Sequence, residues 1–149
     1  MTEKRVFFGF DVICPWPQNP IEEKTLSFSN RHFTFLFLGK QEVEKLLPLL
    51  QKMPSLPFFI SPAGFFDRCI VLPSKRPSVV ALQFHLETYA QELKNFHYLF
   101  IQWLLDQKIE IKELEKEKLL FHVSVSRKPQ SLELWEQTFK KRPFFLSFV

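Results

Sequence analysis

Glycine is scarce in this chain: three in 149 residues, at Gly9, Gly39 and Gly64. A loop that cradles phosphate with backbone N–H groups needs several glycines close together, and no such run exists here. Cysteine is scarcer still. Cys14 and Cys69 lie far apart with no Cys-x-x-Cys spacing, and they are read as reduced thiols. Together with four scattered histidines they offer no zinc-like ligand spacing, so neither a metal nor another cofactor is expected. No hydrophobic run is long enough for a signal peptide or a membrane span, which points to a cytoplasmic protein with no membrane partner.

What is abundant is phenylalanine. The 19 Phe and a hydrophobic share of 46% argue against disorder, and 149 residues make a single domain, residues 1–149, large enough to bury a core. The formal net charge of +4 favours an anionic partner without demanding one, because the excess is small and scattered.

Two short stretches organise the rest: Arg31-His32-Phe33-Thr34-Phe35-Leu36-Phe37-Leu38-Gly39 and Phe121-His122-Val123-Ser124-Val125-Ser126-Arg127. Each reads as a strand. Side chains alternate with period two, so His32 shares a face with Thr34, and His122 shares one with Ser124, while Phe33, Phe35, Val123 and Val125 point into a core. For any single strand the plain account is a half-buried histidine; for the pair, a functional one is favoured. Two such strands meeting across a cleft would gather two imidazoles and two hydroxyls around one small anion. Opening a cyclic phosphodiester needs a base for water, an acid for the leaving alkoxide and donors for the phosphoryl oxygens. Imidazole titrates near about 6.5, so a neutral and a protonated histidine coexist near neutrality. His32 and His122 fill those roles, in an order the sequence leaves open, and Thr34 and Ser124 supply hydroxyl donors. Arg31 falls on the opposite strand face from His32.

At these residues the chain resembles the two-histidine (2H) phosphoesterase superfamily, and within it the RNA 2',3'-cyclic phosphodiesterases also known as 2'-5' RNA ligases. That family carries two His-x-Thr/Ser-x motifs, the first followed by Phe-Leu-Gly and the second by Arg. Here these are His32-Phe33-Thr34-Phe35 with Phe37-Leu38-Gly39, and His122-Val123-Ser124-Val125 with Arg127. The opening strand Arg5 to Phe10 and the segment Gly64-Phe65-Phe66 are similar to the family's as well. The resemblance implies an α+β fold of two pseudo-symmetric lobes, antiparallel sheets facing across a central cleft with helices outside. It implies metal-independent hydrolysis of RNA 2',3'-cyclic phosphate ends to 2'-phosphates, with 2'-5' joining as a side activity, and Arg127 as a further phosphate ligand. The partners expected are RNA ends or small cyclic nucleotides, and the expected state is a monomer. Two alternatives stand beside this: a non-catalytic RNA-end or nucleotide-binding module, and a phosphodiesterase for 2'-5' linked or other cyclic nucleotides.

Local patterns place the remaining elements. Strands are expected over residues 5–12, 57–61, 69–72, 79–87 and 144–149, and helices over 41–52, with Pro48 kinking or breaking it, over 88–107, and around 132–139. Turns are expected around 62–64 and 73–74. Pro15, Pro17 and Pro20 make a loop where the family usually has a helix, leaving Trp16 and Phe28 to line the cleft. His85 and His97 lack a hydroxyl two positions on and read as surface or core-edge residues. Arg68, Lys75 and Arg76 read as a solvated turn that also suits RNA, and Phe10 or Phe66 is the candidate for stacking on a base.

Overall fold

The computed structural model describes residues 2–13, 32–57, 60–72, 79–111, 119, 121–126 and 143–147. The strands are β1 (Glu3–Ile13), β2 (His32–Glu42), β3 (Ala63–Leu72), β4 (Val79–Leu86), β5 (His122–Ser126) and β6 (Pro143–Ser147); the α-helices are α1 (Val43–Leu46) and α2 (Ala90–Asp106). The protein is α+β, and the strand pairings are antiparallel. The hydrogen-bonded order is β1-β2-β5-β4-β3-β6, with β6 returning to β1. Among the described residues no helix is long and apolar enough to cross a membrane. Two compact units are formed, residues 1–9, 34–60 and 90–119 in the first, and 10–33, 61–89 and 120–149 in the second.

In the first unit, α2 buries Leu93, Phe96, His97, Phe100 and Leu104, a stripe at helical spacing. Phe100 meets Phe8 edge-on at 4.9 Å, and Phe35 lies 5.7 Å from Phe96 and 6.1 Å from Phe100. Such ring pairs add about 0.5–1.5 kcal/mol each beyond the area they bury. The helix ends without glycine. Lys108 takes the left-handed conformation (φ 62°), its N–H donates to the Leu105 carbonyl at 2.9 Å, and the Ile109 N–H donates to the Leu104 carbonyl at 3.1 Å. This is the two-bond C-terminal cap that usually recruits glycine, and burial of Ile109 and Leu104 completes its apolar contact. The expected helix at 41–52 is shorter than the pattern implied. β2 runs on to Glu42, α1 has one turn, and a 3₁₀ helix takes over at Leu47–Lys52, because Pro48 has no N–H to continue the α ladder. At the chain start the Thr2 N–H donates to the Glu44 carboxylate at 3.0 and 3.2 Å, which holds that carboxyl below its ordinary range. A depressed carboxyl contributes stability above its unfolded value, and this tie is lost as pH falls through the lowered one.

In the second unit, β3 and β4 form a long ladder from Gly64↔Leu86 to Leu72↔Val79, with a bulge between Phe66 and Arg68. β5 pairs with β4 on one side and with β2, at Phe33↔Val123, on the other. Phe33 is fully buried: its ring lies 5.9 Å from Phe10, nearly parallel, 5.4 Å from Phe84, edge-on, and 5.9 Å from Phe121. Gly64 belongs to β3 rather than to the expected turn. A Cβ there would run into the His85 carbonyl oxygen and stand 2.9 Å from Leu86 Cα, so only glycine lets the two strands approach this closely. Nor do the described residues of 57–61 form a strand. Pro57 and Pro62 each remove a ladder donor, and regular pairing begins at Ala63. The expected helix around 132–139 and the proline-rich stretch with Trp16 and Phe28 lie outside the described residues.

Candidate functional site

Val123 and its partner Phe33 are both 0% exposed, so the pair fixes which face of β2 and β5 turns inward. Neighbouring strand residues must point the other way, and His32, His122 and Ser124 do so, each half-buried. In an antiparallel pair one residue back on one strand meets one residue forward on the other, so Phe33↔Val123 brings His32 level with Ser124. The histidine of one motif thus stands beside the hydroxyl of the other. The two motif strands are direct hydrogen-bonded neighbours. Thr34, also half-buried, follows His32 on the same face of β2. Arg127 and Arg31 lie outside the described residues.

The face continues across the sheet of the second unit. β4 pairs Gln83 with His122 and Ala81 with Ser124, and β3 pairs Arg68 with Gln83 and Phe65 with His85. A polar row His122, Gln83, Arg68 therefore crosses three strands, with His85 and Phe65 beside it. Sequence reasoning passed over Gln83, Phe65 and Asp67. The signal available was the alternation Gln83-x-His85-x-Glu87, three polar side chains at period two between buried Leu82, Phe84 and Leu86. His85 is exposed, in keeping with a surface histidine, whereas His97 is buried to 8% exposure with its ring edge-on to Phe35 at 5.2 Å. The aromatic residues expected to stack a base are unsuitable: Phe10 and Phe66 are core rings at 7% and 2% exposure. Phe65, paired with His85 on the polar face, is exposed at 38%.

An open pocket of about 440 Å³ is lined by Phe65, Phe66, Asp67, His85 and Glu87, all in the second unit. Among the described residues no group of three His, Cys, Asp and Glu side chains is arranged to hold a metal ion.

No family model matches the chain, and no curated protein matches it. Among solved structures it is similar to the crystal structure of TT0787 of Thermus thermophilus, with a TM-score of 0.55 and 15% sequence identity over 95% of this chain and 82% of that one. At that identity the likeness is one of fold alone, in keeping with the antiparallel α+β architecture described above.

Proposed function

We propose that this protein is a two-histidine phosphoesterase that opens 2',3'-cyclic phosphates at RNA ends to 2'-phosphates, acting as a cytoplasmic monomer and needing no metal, with 2'-5' joining as a side activity. The observation that carries this reading is the Phe33↔Val123 pair, which sets both His-x-hydroxyl motifs on adjacent strands with their polar residues turned away from the core. In the reaction one of His32 and His122 takes a proton from water as its oxygen attacks phosphorus. The bond from phosphorus to the ribose 3' oxygen breaks, and the other histidine protonates that oxygen. Thr34 and Ser124 donate hydrogen bonds to the non-bridging oxygens, where negative charge gathers in the transition state. Arg127, by the resemblance, adds a charge-assisted bond to the same oxygens.

The test is incubation with a panel of 2',3'-cyclic and 2'-5' linked substrates in excess chelator, with the phosphate position in each product assigned. Opening of the cyclic substrates to 2'-phosphates, unaffected by chelator, is expected. Loss of turnover on chelation, restored by a divalent ion, would sink the two-histidine mechanism.

The hydroxyls supply a second check. A hydrogen bond to a charged group contributes roughly 1.5–3 kcal/mol, so Thr34→Val and Ser124→Ala should each slow turnover by roughly ten- to a hundredfold while the circular dichroism spectrum stays unchanged. Wild-type rates in both variants would remove these residues from the site.

A further inference from the structure

The pocket at the β3 bulge has a chemistry unlike that of the histidine motifs. Phe65 presents an exposed ring and pairs across the ladder with His85, so both stand on the face that carries His122. Asp67 is the bulged residue, between the Phe66↔Phe84 and Arg68↔Gln83 pairs. Two positions after Phe65, Asp67 falls on the same face by strand alternation, and the bulge brings Arg68 to that face as well, so a carboxylate lines the pocket beside the ring. Glu87 adds a second carboxylate just beyond β4, where its N–H donates to the Ala63 carbonyl at 2.9 Å; the Ala63 N–H in turn donates to the Thr88 hydroxyl at 2.8 Å. Two carboxylates disfavour a phosphate here. They favour a group that presents N–H donors, and the Phe65 ring favours a flat one.

We infer that this pocket seats the nucleobase of the nucleotide whose phosphate lies at His32 and His122, and that it selects guanine over uracil. This rests on the phosphoesterase reading of the histidine face. Guanine offers two adjacent N–H donors, N1 and N2, to a carboxylate, and its bicyclic ring covers Phe65. Uracil offers one donor between two carbonyl oxygens, which the carboxylates repel. The spacing fits one nucleotide: Gln83 pairs with His122, so His85 is its diagonal neighbour, about 7–8 Å away between Cα atoms. The intervening Gln83 and Arg68 line the way with donors.

The experiment is titration of the full chain with guanosine 2'-monophosphate and uridine 2'-monophosphate by isothermal calorimetry, on the wild type, Asp67→Asn, Phe65→Leu and Phe65→Ala. Turnover of the matching cyclic nucleotides is measured in parallel, and folding is checked by circular dichroism. The guanine nucleotide should bind at least about tenfold more tightly. Asp67→Asn, on an exposed bulge and isosteric, should remove most of that preference, and loss of the Phe65 ring should weaken guanine binding by about tenfold. Phe65→Leu keeps the apolar bulk where Phe65→Ala does not fold. Equal affinity for the two bases, or a preference untouched by Asp67→Asn and Phe65→Leu, overturns the inference. If cyclic nucleotides are opened without regard to base and both nucleotides bind alike, the subsite falls and the phosphoesterase reading stands. If the guanine preference and its loss in the variants are seen without turnover of any cyclic substrate, the subsite stands and that reading falls.

Discussion

Replacing His32 or His122 with alanine should lower turnover of a 2',3'-cyclic nucleotide by about 10²–10⁴-fold in each case, the range that a positioned general acid or base contributes. The double variant should be little worse than either single one. In the proposed mechanism both histidines act in one proton-transfer sequence, so once one transfer is lost the other has nothing left to assist. For the same reason the wild-type pH profile should be bell-shaped, since one imidazole must be neutral and the other charged, and its limbs describe the coupled pair rather than either residue. Binding of the 2'-phosphate product should survive both single replacements, because the proposed mechanism assigns phosphate binding to Thr34, Ser124 and Arg127. Near wild-type turnover in either variant, with circular dichroism showing it folded, would move the protein to the class of binding modules.

The largest effect on stability is expected at Phe33, the residue between His32 and Thr34. Its side chain is fully buried against the rings of Phe10, Phe84 and Phe121. Phe33→Ala removes those contacts and leaves a cavity, a change that costs about 3–5 kcal/mol in a packed core. Domains of this size hold only about 5–15 kcal/mol in total, so urea unfolding should show a midpoint far below that of the wild type. Phe33→Leu, which fills much of the same space, should cost less. The two variants also bear on the site, because Phe33 paired with Val123 is what turns His32 and His122 away from the core. A loss below about 1 kcal/mol for Phe33→Ala would mean that the ring does not hold this pair together.

Several features were legible in the chain because they are local. Alternation in residues 32–35 and 122–125 sorts each motif into a core face and a polar face, and Phe33, Phe35, Val123 and Val125 are all buried. The helical spacing from Leu93 to Leu104 marks the face that α2 buries, and Pro48 marks where α1 gives way to a tighter turn. Other features misled for equally local reasons. Gly64 looks like a turn residue because glycine favours turns, yet it is there for the close approach of β4. Lys108 carries no sign of the left-handed cap it forms, because that conformation is imposed by burying Ile109 after Leu104.

The sequence by itself determined the chemistry on offer, two histidines and two hydroxyls at strand spacing with no glycine-rich phosphate loop, because side-chain identity and period-two alternation are properties of each segment alone. Tertiary structure decided which segments meet. That β5 lies between β2 and β4, that His32 comes level with Ser124, and that Asp67 at a bulge lines a pocket with Phe65 and His85 all depend on pairing between residues distant in the chain. A register shift of one residue would turn every one of those side chains to the other face, and the strands are held in register by the burial of Phe33, Val123 and Leu82 together, which no single segment encodes.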